Sequence, residues 1–251
     1  MFKSFPYLLS IFSSFILALA FPKTEFWFLA WIGLVPLFFS LDGKTLKESF
    51  KISFFCGLAF FTLCFYWISY VTFLGLAILI LYFALYLGLF GIAYYFSRHQ
   101  KILFKLLFLP SAWVVLEFIR ANLFSGFGWV SLGLSQYKIL PVIQIADLTG
   151  VYGVSFLIVM VNVFVKEFIL SEKKRQIFPA VFLTIFCLGL ALGYGQYRLK
   201  NKIISTGKMK ISVIQPSIKM ADRWQESLWK NIVEEHLNLS RKAISQKTNL
   251  V

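Results

Sequence analysis

The hydrophobic and polar positions divide the chain into long apolar runs that are separated by mostly short polar connections. About seven runs are long enough to cross a hydrocarbon layer about 30 Å thick, at about 1.5 Å per helical residue. The runs span residues 5–21, 26–41, 51–70, 73–96, 103–119, 150–170 and 177–196. This pattern predicts a membrane all-α bundle of about seven transmembrane helices within residues 1–197.

The first run has a second interpretation. Lys3, the apolar stretch behind it and the small residues Ala18 and Ala20 resemble a signal peptide with its cleavage site. Because more apolar runs follow at once, we favour an uncleaved first helix.

The composition indicates a membrane protein, and this changes how the net positive charge is interpreted. The chain is 59% hydrophobic and 14% charged, whereas soluble domains carry about 25% charged residues. Its net charge of +14 would suggest nucleic acid as the partner of a soluble protein. Here the Lys and Arg residues lie between apolar runs, where they determine topology and meet anionic lipid headgroups. We therefore predict no nucleic-acid partner.

The basic residues are distributed unequally between the two sides of the predicted membrane. With the N-terminus in the cytoplasm, the inner connections hold Lys3, Lys44, Lys47, Lys51, Arg98, Lys101, Lys105, Lys166, Lys173, Lys174 and Arg175. The outer connections before the last run hold Lys23, Arg120 and Lys138. This bias predicts a multi-pass protein of the bacterial inner membrane whose C-terminal segment lies in the periplasm.

One connection, residues 120–149, is long and unusually apolar. Loops of this length are usually functional. Its apolar and aromatic residues are typical of the headgroup level: Phe127, Trp129, Leu132, Leu134 and Tyr137. We predict an arm on the outer membrane surface, and the alternative is a re-entrant or additional span.

Glu117 and Arg120 lie three residues apart near the outer end of the fifth run. Ionisable residues at membrane depth are functional candidates. The alternative, which we favour, is that the two side chains pair with each other on one helix face.

The cysteines offer no site that the sequence alone identifies. Cys56, Cys64 and Cys187 lie inside apolar runs, without CxxC or metal-ligand spacing. We interpret them as small buried hydrophobic residues, and we predict neither a metal nor a nucleophile among them.

The segment after the last run, residues 198–251, has the pattern of a water-soluble α/β fold. Residues 210–215 predict a short strand, Asp222 is a candidate helix cap, and an amphipathic helix follows. Apolar Leu250 then resembles the start of a second strand. A segment of this length rarely supports a hydrophobic core by itself. We therefore expect it to be unfolded or loosely docked unless another chain completes it.

Five stretches together resemble one family, bacterial apolipoprotein N-acyltransferase. Four resemble its membrane half: ALAFPKTEFWFLAWIGLVPLF (18–38), GLAFFTLCFYWISYV (57–71), SGFGWVSLGLSQ (125–136) and QIADLTGVYGVSFLIVMVN (144–162). The fifth, ISVIQPSIKMADRW (211–224), resembles the entrance of its nitrilase-like (carbon-nitrogen hydrolase) domain. The implied fold is a membrane bundle followed by the first β-α unit of an incomplete nitrilase-like domain.

The resemblance implies an acyl transfer without a cofactor. Such enzymes move an acyl chain from a phospholipid to a cysteine, and then to the N-terminal diacylglyceryl-cysteine of a lipoprotein. The glutamate base, the oxyanion-binding lysine and the cysteine nucleophile of the family map onto no residue here. We therefore expect the N-terminal portion of the enzyme, truncated or paired with a separately encoded C-terminal half, and inactive alone.

The resemblance also indicates three substrate-binding candidates. Trp224 matches a tryptophan at the mouth of the family's site, although it also fits the core of a first helix. Trp129 and Gln136 are the candidates in the long arm, where a tryptophan can also serve only as an anchor. Two other functions remain open, a non-catalytic membrane scaffold and a seven-span transporter.

Overall fold

The computed structural model of the chain describes residues 5–124, 126–171, 174–201, 209–219, 222–245 and 250. It separates into two compact units, Met1–Asn201 and Lys202–Val251. The helices of the first unit are α1 (Phe5–Leu19), α2 (Val35–Leu41), α3 (Leu46–Phe65), α4 (Phe73–Ser97), α5 (Ile102–Asn122), α6 (Leu140–Ile143), α7 (Ala146–Leu170) and α8 (Lys174–Lys200). Short 3₁₀ segments cover Trp27–Trp31, Tyr66–Tyr70 and Leu132–Gln136.

Within the described residues, five helical segments are long and apolar enough to cross a membrane. They are Leu46–Tyr70, Phe73–Ser97, Ile102–Asn122, Ala146–Leu170 and Ile177–Lys200. The segments Phe5–Leu19 and Trp27–Leu41 are apolar but shorter. The predicted membrane helical bundle is confirmed, whereas seven crossings stay a prediction.

Local sequence signals set the ends of α3 and α4. Thr45 and Glu48 form a capping box at the start of α3, in which each side chain accepts a hydrogen bond from the backbone N–H of the other residue. At the start of α4, the Thr72 hydroxyl accepts a hydrogen bond from the N–H of Gly75. This cap separates two apolar runs that hydrophobicity alone scarcely divides.

Helices α3 and α4 pack closely through small residues and aromatic rings. A Cβ atom on Gly91 would lie 2.4 Å from the carbonyl oxygen of Ser49, so only glycine fits this contact. Nearby, the Phe83 ring lies 5.0 Å from Phe61 and 5.6 Å from Phe65, centroid to centroid. These contacts build the core beneath the long connection between α5 and α7.

Helix α7 contains a break that its sequence explains. Gly150 has φ +62°, a left-handed conformation that glycine adopts without steric penalty. The turn Ala146–Thr149 therefore precedes the long helix as a separate element. The predicted span that begins at residue 150 coincides with the part after this break.

In the second unit, two short extended segments pair with each other, and a helix lies between them in the chain. Ile211 and Leu250 form an isolated parallel bridge, in which Ser212 N–H donates to the Leu250 carbonyl at 3.0 Å. Helix α9 (Trp229–Ser245) lies between them in the chain. In the described part of this unit the predicted strand over 210–215 amounts to this bridge, because a strand needs a partner along several residues.

The predicted cap of this helix is wrong. Asp222 begins a 3₁₀ segment, Asp222–Trp224, and a second one follows at Glu226–Leu228. The α-helix starts only at Trp229, seven residues after Asp222 in the numbering. The apolar side chains of Val233, Leu237 and Ile244 on α9 are at least half exposed.

Candidate functional site

The predicted arm, residues 120–149, includes the last residues of α5 and the first turn of α7. The connection between these two helices over residues 126–145 is called the arm below. It contains the 3₁₀ segment Leu132–Gln136 and the short helix α6. Its centre is buried, since Leu132 is 2% exposed and belongs to the hydrophobic core. The prediction that Leu132 faces lipid is therefore wrong: this residue fills the bundle, while its neighbour Leu134 is exposed.

The arm is attached to α7 by a hydrogen bond and a close backbone contact. The N–H of Gly133 donates to the Ser155 hydroxyl at 2.8 Å. A Cβ atom on Gly133 would lie 2.5 Å from the carbonyl oxygen of Val151. Glycine thus allows the 3₁₀ segment to lie directly on the helix.

Gln136 joins the arm to the segment that precedes α2. Its Oε1 accepts from the indole N–H of Trp31 at 3.0 Å, and its Nε2 donates to the Trp27 carbonyl at 2.9 Å. The same nitrogen also donates to the Ser135 hydroxyl at 2.9 Å. With 0% exposure and its amide already bonded, Gln136 positions the arm and presents no surface to a ligand.

Trp129 is the exposed member of an aromatic cluster. Its side chain is 53% exposed, and its ring stacks on Trp67 with 5.5 Å between centroids. Phe127 lies 5.1 Å from Trp129 and 5.6 Å from Phe65, so the exposed indoles rest on the core. This arrangement offers a rigid aromatic surface of the kind found at membrane interfaces.

The third candidate, Trp224, belongs to the C-terminal unit and not to the arm. It ends the 3₁₀ segment Asp222–Trp224, and its side chain is 79% exposed. Trp224 thus precedes α9 and is not covered by the described residues of this unit, and both its interpretations stay predictions.

Glu117 and Arg120 are both buried near the arm, at 6% and 3% exposure. They do not hydrogen-bond each other, which corrects the expected direct pair. Oε1 of Glu117 accepts from the Trp113 indole N–H at 2.9 Å and from the Leu132 N–H at 2.7 Å. The Arg120 guanidinium lies 4.9 Å from the centre of the Phe83 ring. Both residues therefore lie between the arm and the interior of the bundle.

A polar contact outside the bundle ties the arm to the connection before Trp27. Glu25 accepts hydrogen bonds from the Lys138 ammonium and the Tyr137 hydroxyl. These two donors hold the pKa of the Glu25 carboxyl below its ordinary value. Glu25 is not among the candidates that the sequence indicates, because the three residues come together only in the folded chain.

Asn162 is a second residue that the sequence analysis missed. It is fully buried in α7, where its Oδ1 accepts from the N–H of Leu34 and its Nδ2 donates to the Ala30 carbonyl, both at 2.8 Å. It thereby satisfies backbone groups where the helix before α2 is interrupted. Its single amide side chain within a long apolar run was the feature of the sequence that could have indicated it.

The cysteines and acidic residues in the described part of the chain form no evident reactive centre. Cys56 is buried, and its sulfur accepts a hydrogen bond from Ser14 at 3.1 Å. No group of three His, Cys, Asp or Glu side chains among these residues could hold a metal ion.

Comparisons with known proteins indicate what this architecture is related to. Residues 13–164 match a family model described as the apolipoprotein N-acyltransferase N-terminal domain. A protein named apolipoprotein N-acyltransferase from Geobacter metallireducens is 37% identical over 253 residues, which cover 94% of this chain and 48% of the relative. The namesake from Pasteurella multocida is 29% identical over 99% of this chain and 50% of its own length.

The matched region extends from within α1 to within α7 and includes the whole arm. The chain spans about half the length of the curated relatives it matches. Its long apolar helices and these bacterial relatives make it a multi-pass bacterial membrane protein. Together these observations establish that the chain belongs to the apolipoprotein N-acyltransferase family.

Proposed function

We propose that this chain supplies the membrane-embedded half of an apolipoprotein N-acyltransferase. The enzyme transfers an acyl chain from a phospholipid to the N-terminal diacylglyceryl-cysteine of lipoproteins. The observation that carries this proposal is the family match over residues 13–164, which covers most of the helical bundle and the whole arm. The chain then lies in the bacterial inner membrane, with its C-terminal unit in the periplasm.

The arm is the proposed lipid-binding element. Trp129 and Trp67 offer adjacent half-exposed indoles, which suit the boundary between acyl chains and headgroups. Gln136 acts indirectly, because its hydrogen bonds to Trp27 and Trp31 set the position of the arm.

Residues 198–251 are proposed to begin a nitrilase-like domain. The order of bridge, helix α9 and bridge, with Ile211 and Leu250 parallel, is the connectivity of a β-α-β unit. The exposed side chain of Trp224 in this unit is the proposed contact with substrate.

We further propose that a second, catalytic half is needed for acyl transfer. Formation of a thioester needs an activated thiol. Cys56 is buried beneath Ser14, while Cys64 and Cys187 lie within α3 and α8. Among the described residues no basic side chain hydrogen-bonds any of these thiols. We therefore propose that the nucleophile comes from another segment, for example from a separately encoded C-terminal half.

Acylation assays of the chain and of a chimera test the proposal. The purified chain in phospholipid nanodiscs, supplied with a diacylglyceryl-modified acceptor peptide, should form no thioester and no N-acyl product. A chimera that continues after Val251 with the remaining half of the Geobacter relative should N-acylate the peptide. Rapid acylation by the chain alone, or an inactive but well-folded chimera, would contradict the proposal.

The same chimera tests Trp129. Replacement of Trp129 by Ala should lower the acylation rate at limiting phospholipid by about threefold to tenfold, as expected for loss of an aromatic contact. The control is Phe178→Ala on α8, which removes an aromatic ring that is 70% exposed and distant from the arm in sequence. Equal rates in the two variants would remove Trp129 from the lipid-binding element.

A further inference from the structure

Glu117 and Arg120 each carry one buried atom that no described residue satisfies. Oε2 of Glu117 and Nη1 of Arg120 have no hydrogen-bond partner among the described residues. The Ser155 hydroxyl, which accepts from the Gly133 N–H, also lies near the Glu117 carboxylate, but it forms no hydrogen bond of normal geometry with Oε2. Both atoms lie between apolar helices, where an unsatisfied polar group is strongly unfavourable. Such atoms in native proteins almost always have a partner, from the protein or from ordered water.

A cavity adjoins both side chains. Its volume is about 30 Å³, and its lining includes Glu117, Arg120, Tyr86, Trp113 and Val130. A buried water needs roughly 10–15 Å³ of this kind of space and two to four polar partners. The cavity therefore has room for one or two water molecules.

We propose that an ordered water molecule binds in this cavity between Oε2 of Glu117 and Nη1 of Arg120. The water donates to the carboxylate and accepts from the guanidinium, so it satisfies both atoms at once. Tyr86, whose hydroxyl lies 2.6 Å from that of Tyr82, lines the same cavity as a further polar group.

The bound water extends a polar junction that holds the arm. The other carboxylate oxygen of Glu117 accepts from the Leu132 N–H, and Nη2 of Arg120 donates to Ser131 at 3.4 Å. Glu117 and Arg120 are thus positioning residues, coupled through the water, for the first residues of the 3₁₀ segment. This assignment does not depend on the acyltransferase activity proposed above.

The direct test is an experimental structure of the full chain in lipid at a resolution that shows ordered water. We expect one density peak for a water molecule within about 2.7–3.2 Å of both Oε2 of Glu117 and Nη1 of Arg120. A direct Glu117–Arg120 ion pair, an empty cavity or a lipid group in this position would overturn the proposal.

Hydrogen exchange of the Leu132 amide tests the coupling to the arm. Arg120→Met removes one ligand of the water and should raise the exchange rate of this amide about tenfold to hundredfold. Arg120→Lys restores a cationic donor and should bring the rate back toward that of the wild type. An unchanged rate in a folded Arg120→Met variant would overturn the coupling.

Two matched variants separate the water from other contacts. Ser131→Ala removes the direct contact of Arg120 with the arm, together with the hydrogen bond from Ser131 to the Gly128 carbonyl. It leaves both proposed ligands of the water in place, so it should keep the water density and raise the exchange rate less. Glu48→Gln makes an acid-to-amide change at an exposed helix cap and should alter neither readout. If Ser131→Ala matches Arg120→Met in exchange rate, the direct contact explains the coupling and the water does not.

Discussion

At the scale of single residues, buried polar side chains in the bundle satisfy backbone groups where helices are interrupted. Asn162 bonds Leu34 and Ala30, Gln136 bonds Trp27, and Glu117 bonds Leu132. Lipid offers no water to these backbone groups, so each bond replaces one that helical geometry cannot make. These three side chains therefore mark places where the chain departs from regular helix.

Replacement of Asn162 by Leu should destabilise the bundle strongly. It leaves the Leu34 N–H and the Ala30 carbonyl buried without partners, at about 1–3 kcal/mol for each group. Thermal unfolding in detergent should show a clearly lowered midpoint. The control is Asn122→Leu, because Asn122 is exposed and bonds only the Phe118 carbonyl at 2.8 Å. Equal midpoints for the two variants would contradict this role of Asn162.

The contact of Glu25 with Lys138 and Tyr137 should contribute stability at neutral pH and lose it in acid. Because the pKa of Glu25 is lower in the folded protein than its ordinary value of 4.5, the contribution is present above that value. It disappears as the pH falls through the lowered pKa.

The measurement compares the unfolding midpoints of the wild type and Glu25→Gln from neutral pH to acid. The difference between them should shrink on acidification, and high salt should reduce it because the pair is exposed. Glu226→Gln, at an exposed position of the C-terminal unit, is the control and should follow the wild type. A constant difference across this pH range would contradict the assignment.

At the scale of elements, the arm is a segment inserted into the bundle and not a loose surface loop. The 3₁₀ segment Leu132–Gln136 lies against α7 and against Trp27–Trp31. Its exposed part is the aromatic surface around Trp129. The hydrogen bonds of the buried 3₁₀ segment thus fix the position of the exposed aromatic surface around Trp129.

Replacement of Gly133 by Ala tests this insertion. The new Cβ would lie 2.5 Å from the Val151 carbonyl oxygen, and such overpacking destabilises proteins by about 1–3 kcal/mol. Faster amide exchange within Leu132–Gln136 and a lower unfolding midpoint are expected. Gly189→Ala is the matched control, because no atom lies within 4 Å of a Cβ at Gly189 in α8. A tolerated Gly133→Ala would show that the arm packs more loosely.

At the scale of the whole molecule, the distribution of basic residues implies a direction across the membrane. The described helices include several that are long and apolar enough to cross a membrane, and the charge bias predicts that the connection after α4 lies in the cytoplasm. The proposed acyl transfer requires the C-terminal unit on the opposite side of the membrane.

Cysteine labelling in intact cells tests this topology. A membrane-impermeant maleimide should label Ser227→Cys in the C-terminal unit, but Gln100→Cys, after α4, only once the cells are permeabilised. The native cysteines lie within helices, and the unmodified chain serves as their control. Labelling of Gln100→Cys alone in intact cells would overturn the topology and the proposed role.

The sequence by itself determined the membrane class, the positions of the long helices and the membership of a family. The class and the helix positions follow from local runs, because a helix in lipid needs about 20 consecutive apolar residues and satisfies its own backbone. The family follows from specific stretches such as SGFGWVSLGLSQ (125–136). The order of strand, helix and strand after α8 was also predicted, and among the described residues it takes the form of a single bridge between Ile211 and Leu250. The Asp222 cap failed, because competing 3₁₀ segments delay the start of α9.

Only the tertiary structure decided how the arm lies and which residues hold it. Gln136 and Trp31 are 105 positions apart, and Asn162 and Leu34 are 128 apart, so no local pattern pairs them. Glu117 and Arg120 have the spacing of an ion pair, yet packing directs them to Leu132 and to the Phe83 ring. Breaks in the helices leave backbone N–H and C=O groups without helical partners. Which side chains bond these groups is decided only when segments that are distant in the sequence pack together.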